Sequence, residues 1–85
     1  MYYSGRVQGV GFRYSVRNLV TGFEVTGIVR NLDDGRVWLV AEGMKDELEA
    51  FLEAIRQSDV GRFIQQEQAD WADAINEFRS FEITH

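Results

Sequence analysis

The sequence predicts an α+β sandwich of order β-α-β-β-α-β, with two amphipathic helices on one face of an antiparallel sheet. Three patterns carry this. Apolar residues recur with helical spacing in two separate segments, one after Gly11 and one after Gly43. Between them the period drops to two on either side of Asp34-Gly35, the strongest hairpin signal in the chain. The first and last segments are short and rich in β-formers. With 85 residues, 45% of them hydrophobic and 13% aromatic, the chain forms one domain over residues 1–85, with a single core.

The elements follow in order. Tyr2 to Val7 alternates weakly and reads as a short first strand. Phe12, Val16, Leu19, Val20 and Phe23 then share one helix face, and Gly22 is a suitable end for that helix. Val25, Gly27 and Val29 alternate with Thr26, Ile28 and Arg30 in a second strand. Asn31 to Gly35 is the turn, and Val37, Leu39 and Ala41 alternate with Trp38, Val40 and Glu42 in the third strand. Gly43 breaks that strand. Leu48, Phe51, Leu52 and Ile55 form the apolar face of a second helix, with Asp46 and Glu47 at its positive pole and Arg56 at the other. Ser58 to Gly61 ends it. The polar stretch from Arg62 to Trp71 reads as an exposed, twisted strand, with Phe63 and Ile64 as its core candidates. Phe81 and Ile83 close the chain in a final strand. Two such crossover units give the ferredoxin-like arrangement, with Val16, Leu19, Phe51 and Ile55 packed on one sheet face and the other face partly solvated.

Composition narrows the chemistry. The chain has no cysteine, which removes disulfides, thiolate metal sites and cysteine nucleophiles. Its apolar runs are too short to span a membrane, and no leader-like segment opens it, so a cytoplasmic protein is expected. The net charge of −5 is unevenly placed: in residues 1–36 five arginines face three carboxylates, whereas in residues 37–85 four basic groups face eleven acidic ones. An acidic body argues against nucleic acid but accommodates a locally positive pocket for a small anion.

Gly5-Arg6-Val7-Gln8-Gly9-Val10-Gly11-Phe12-Arg13 supplies such a pocket. Its glycines bare the backbone, and the loop opens into a helix N-terminus whose N–H groups and dipole favour an oxyanion, with the Arg13 guanidinium beside them. The alternative is a glycine-rich turn that binds nothing, with Arg13 as solvated surface. Neither nucleotide loop is present: no lysine follows the glycines, and Tyr14 stands where a GxGxxG pattern needs its last glycine. Asn31 either serves the backbone of its turn or offers a carboxamide to a water. His85, the only histidine, is a poor base at a chain end, and Asp33 and Asp34 read as solvated turn residues. Met44, Trp38 and Trp71 read as packing residues. No cluster has metal-ligand spacing, so neither metal nor cofactor is expected.

A cradle with an arginine and an amide, but no nucleophile and no base, suits phosphoryl transfer with a good leaving group. A carboxylate departs without a proton, so acyl phosphates fit. Alkyl phosphate monoesters would need a proton donor that is not found.

The segment from Gly5 to Arg13, together with Gly27-Ile28-Val29-Arg30-Asn31-Leu32-Asp33-Asp34-Gly35-Arg36-Val37, resembles the two signature stretches of the acylphosphatases. Val40-Ala41-Glu42-Gly43, the acidic helix and Phe81-Glu82-Ile83 extend the resemblance over essentially the whole chain. The resemblance implies a ferredoxin-like fold and hydrolysis of small acyl phosphates to carboxylate and inorganic phosphate, without metal or cofactor. It implies that Arg13 and the backbone amides of Gln8, Gly9, Val10, Gly11 and Phe12 bind the phosphate, and that Asn31 orients the attacking water. Ile28 stands where the family commonly has Trp, and Glu24 where it often has Gly at the helix exit. The expected partners are the acyl phosphate and its product phosphate, with no nucleic acid and no membrane, for a protein acting as a monomer.

Three rival readings share the fold. A non-catalytic module would bind an anion or a partner without turnover. A single-stranded RNA binder would need exposed aromatics on a central strand flanked by basic residues, against which the charge and the valine-rich strand Val25 to Val29 speak. A detached version of the acylphosphatase-like domain of larger carbamoyl-transfer proteins would need domains beyond these 85 residues.

Overall fold

A computed structural model of the chain describes residues 1–72 and 78–84; His85 and the acidic residues Asp73 and Glu77 lie outside the described residues. Its elements are β1 (Tyr2–Gly5), α1 (Phe12–Val20), β2 (Thr26–Asn31), β3 (Val37–Glu42), α2 (Lys45–Gln57), a 3-10 turn (Gly61–Phe63), β4 (Ile64–Gln68) and β5 (Phe81–Thr84). One five-stranded sheet has the spatial order β4-β1-β3-β2-β5. β1 pairs antiparallel with β3 and β4, and β2 pairs antiparallel with β3. The β2–β5 pair is parallel, which makes the sheet mixed. Gly27 N–H donates to Ser80 O at 3.0 Å, so β5 starts where β2 starts and runs beside it to the same end.

Alternation decides which face is buried. Val25, Val29, Val37 and Leu39 turn inward from the hairpin, and Val16, Phe51 and Ile55 meet them from the helices. Leu19 is only partly buried at the edge of this core. α1 ends at Val20, slightly before Gly22, because Gly22 N–H and Phe23 N–H bond back to Leu19 O and Val20 O and wind the helix down. Phe23 therefore packs from the turn instead of from the helix face, with its ring 5.7 Å from that of Phe51. Phe51 also meets Phe81 of β5 edge-on at 6.0 Å, which fixes the last strand to the core.

Glu24 sits in the turn before β2, where its backbone N–H donates to Glu47 Oε1 at 2.9 Å, so the helix exit is held by α2. Arg56 acts as a brace near the end of α2, donating to Glu67 of β4 at 2.9 Å and to Glu53 at 3.0 Å. β4 is polar because it is an edge strand, with Ile64 and Glu67 half-buried and the rest exposed. On the uncovered sheet face Tyr2 and Trp38 are opposite each other on β1 and β3. Each carries a guanidinium: Arg36 lies 4.5 Å from the Tyr2 ring and Arg30 lies 4.4 Å from the Trp38 ring. Ile28 pairs with Val40 on the same face. Met44 and Trp71 are not packing residues; they are 71% and 54% exposed, since one precedes α2 at its cap and the other follows the end of β4. Among the described residues no helix is long and apolar enough to cross a membrane.

Candidate active site

The glycine loop is pinned at both ends and open between them. Val7 is fully buried and Phe12 almost so, with the Phe12 ring tilted against that of Tyr3 at 5.1 Å between centroids. Arg6 N–H donates to Phe63 O at 3.1 Å and fixes the chain as it leaves β1. Between these anchors Gly9 and Gly11 adopt φ of +78° and +81°. A Cβ at either position would meet no atom within 4 Å, so the backbone conformation, not space, requires glycine there. Gly11 caps α1 with its carbonyl, accepting Ser15 N–H at 2.9 Å, while no side chain caps the first-turn amides. Those amides belong to the positive end of the helix.

The loop faces an open cleft of about 270 Å³ lined by Val7, Gly9, Gly11, Phe12, Arg13, Tyr14 and Asn31. Arg13 comes from the first turn of α1 and Asn31 from the last position of β2. The Arg13 guanidinium is held by β5: its Nη1 donates to Thr84 O at 2.6 Å. Among the described residues, one cation and no carboxylate line the cleft, so its charge suits an anion. Asp34, in the hairpin turn, accepts Arg36 N–H and pairs with Arg36 Nε at 2.7 Å. These bonds hold its carboxyl below the usual carboxylate value, and they mark it as a turn-building residue.

Of the residues singled out from the sequence, the structure gathers Gly9, Gly11, Phe12, Arg13 and Asn31 around one cleft. The side chains of Gln8 and Val10 point elsewhere. Val10 packs against the core, and Gln8 Nε2 donates to Leu32 O and Arg36 O at 2.7 and 3.0 Å. Three participants escaped sequence reasoning: Tyr14, Thr84 O and the Gln8 side chain. Tyr14 was within reach, since it follows Arg13 directly; a main-chain carbonyl 71 residues away leaves no sequence signal.

Fold and cleft together define a ferredoxin-like α+β domain whose sheet ends in a cleft lined by one arginine and, among the described residues, no carboxylate. The acylphosphatase family model matches residues 1–83, and the chain belongs to the acylphosphatase family. It is 42% identical over 80 residues to the acylphosphatase of Salinibacter ruber, covering 94% of this chain and 84% of that one. The crystal structure of acylphosphatase from Bacillus subtilis superposes with a TM-score of 0.87 at 34% identity, over 99% of this chain and 93% of that one. Full-length HypF, solved in a phosphate- and nucleotide-bound form, matches with a TM-score of 0.85 at 30% identity; the match covers 99% of this chain but only 11% of HypF. The same unit thus occurs both alone and within a much longer protein. Acylphosphatase activity is the enzymatic function that this membership supports.

Proposed function

We propose that the chain hydrolyses small acyl phosphates, with Arg13 and the backbone amides of Gln8 to Phe12 binding the phosphoryl oxygens and Asn31 placing the attacking water. The observation that carries this reading is the convergence of Arg13, Asn31 and the glycine loop on one cleft whose described lining holds no carboxylate, histidine or lysine to act as a base. The reaction does not need such a base. Water attacks phosphorus as the bond to the acyl oxygen breaks, and the carboxylate leaves without taking a proton. The water's proton passes to a phosphoryl oxygen, so the products are the carboxylate and inorganic phosphate. Charge on the phosphoryl oxygens is met by donors already in place, the usual source of most of the rate enhancement in such sites. The substrate is a small molecule, and the guanidinium-covered rings of Tyr2 and Trp38 favour it over a nucleic acid, whose bases would need those ring faces. The reading includes a single-domain monomer working in the cytoplasm.

Benzoyl phosphate turnover tests it, with inorganic phosphate as competitive inhibitor. Asn31→Ala should lower kcat by roughly 10²- to 10³-fold, as loss of one positioned polar group does, while the inhibition constant for phosphate changes little. Wild-type turnover from Asn31→Ala would remove the water-placing role. Phosphate binding without any turnover by the wild type would instead favour a binding module.

A further inference from the structure

The Gln8 side chain is absent from the cleft lining, although its neighbours Val7 and Gly9 both contribute to it. Its carboxamide instead crosses to the β2–β3 hairpin, 24 and 28 residues along the chain. There the neck of the hairpin is closed by Leu32 N–H donating to Arg36 O at 2.8 Å and Gly35 N–H donating to Leu32 O at 3.2 Å. Gln8 Nε2 donates to the same two carbonyls, Leu32 O at 2.7 Å and Arg36 O at 3.0 Å. Both acceptors are carbonyl oxygens, so only the NH₂ end of the carboxamide can stand between them. Leu32 directly follows Asn31. The bridge therefore joins the cradle, one residue before Gly9, to the backbone, one residue after Asn31.

Little else fixes that separation. Gly9 and Gly11 are exposed and have positive φ, and no atom lies within 4 Å of where a Cβ would stand on either. Among the described residues, Val10 is the one apolar side chain between Val7 and Phe12, and it packs against the core. We propose that Gln8 is a positioning residue: its two hydrogen bonds set the distance between the phosphate cradle and the Asn31 carboxamide. This rests on the proposed hydrolytic mechanism, in which phosphorus sits in the cradle and the water sits at Asn31. The tether would then govern the approach of water to phosphorus more than the binding of phosphate, because neither of its hydrogen bonds uses a cradle amide N–H or the Arg13 guanidinium.

The test uses Gln8→Met, which keeps the length of the side chain and removes the donors, and Gln8→Asn, which keeps the amide but falls one methylene short. Each is assayed for kcat with benzoyl phosphate, for inhibition by inorganic phosphate and for thermal unfolding. Displacements near an ångström cost up to about 10²-fold in rate, so each variant should lose roughly tenfold or more in kcat while its phosphate inhibition constant moves less than about threefold. A purely structural role would lower the melting temperature and leave that split absent. If Gln8→Met does not fold, Gln8→Asn decides alone. Unchanged kcat in a folded variant overturns the positioning role while the wild type still turns over; an inactive wild type overturns the hydrolytic mechanism and the proposal with it.

Discussion

Replacing Arg13 by lysine separates charge from shape in the cleft. The guanidinium already commits one N–H to Thr84 O at 2.6 Å, and that bond aims the planar group from α1 toward the glycine loop. A guanidinium can keep this bond and still present a fork to a phosphate, because its donors are fixed in one plane. A lysine ammonium is a single point: serving Thr84 O draws it off the phosphate, and serving the phosphate releases β5. At least one charge-assisted hydrogen bond is lost, worth about 1.5–3 kcal/mol, which corresponds to roughly 10- to 150-fold in kcat/KM. Arg13→Ala removes the charge and both arms of the fork, so its loss should be about 3–6 kcal/mol, or roughly 10²- to 10⁴-fold. Steady-state hydrolysis of benzoyl phosphate measures both, and inhibition by inorganic phosphate should weaken in parallel because the clamp acts on bound phosphate as well. Arg13→Lys with kcat/KM within about twofold of wild type would refute the reasoning, since it would mean that charge alone suffices and fork geometry is idle.

Two other expectations concern the scaffold. Phe51 is fully buried between Phe23 and Phe81, so Phe51→Ala should cost about 3–5 kcal/mol, a large share of the roughly 4–13 kcal/mol expected for a chain of this size. Urea unfolding measures it, and a loss below about 1 kcal/mol would show that the ring is not a keystone of the core. In acid, Glu53 should matter through its bonds from Gln57 and Arg56, which hold its carboxyl below the ordinary 4.5. A depressed carboxyl binds its proton more readily when unfolded, so this contribution is complete above the ordinary value and fades as the pH falls through the folded one. Glu53→Gln should therefore flatten the acid limb of a melting-temperature profile below about pH 5, and an unchanged limb would show that other carboxylates set it.

The legible parts of the fold were those written in side-chain period. The hairpin stood out because Val25 to Val29 and Val37 to Ala41 alternate around Asp34-Gly35, and the buried positions fall where that alternation puts them. The helices were legible in their buried faces but less so in their ends: Phe23 continues the apolar period of α1, yet the backbone has already turned. β4 was readable only as a polar, extended stretch, since an edge strand buries little and gives weak periodicity. In the cleft, the glycine loop could be read because the positive φ of Gly9 and Gly11 demands glycine, and Arg13 because it follows that loop directly. Asn31 was ambiguous, because the end of a strand before a turn suits asparagine for local reasons too. The Gln8 bridge and the Thr84 carbonyl were invisible for one shared cause: each joins a side chain to main-chain oxygen far along the chain, and every residue carries that oxygen.

The parallel alignment of β5 with β2 makes turnover a gauge of completed folding. Arg30 of β2 is in register with Thr84 of β5, so the strand that ends in Asn31 and the strand that steadies Arg13 finish side by side. One half of the cleft is thus made by the opening segment of the chain and steadied by its closing one. Such long-range closure comes late and slowly in small domains. A collapsed intermediate with both helices and the hairpin formed, but β5 still undocked, would look nearly native by circular dichroism and yet lack an aimed Arg13. During refolding, recovery of catalysis should lag recovery of helical signal, and the lag would time the docking of the final strand.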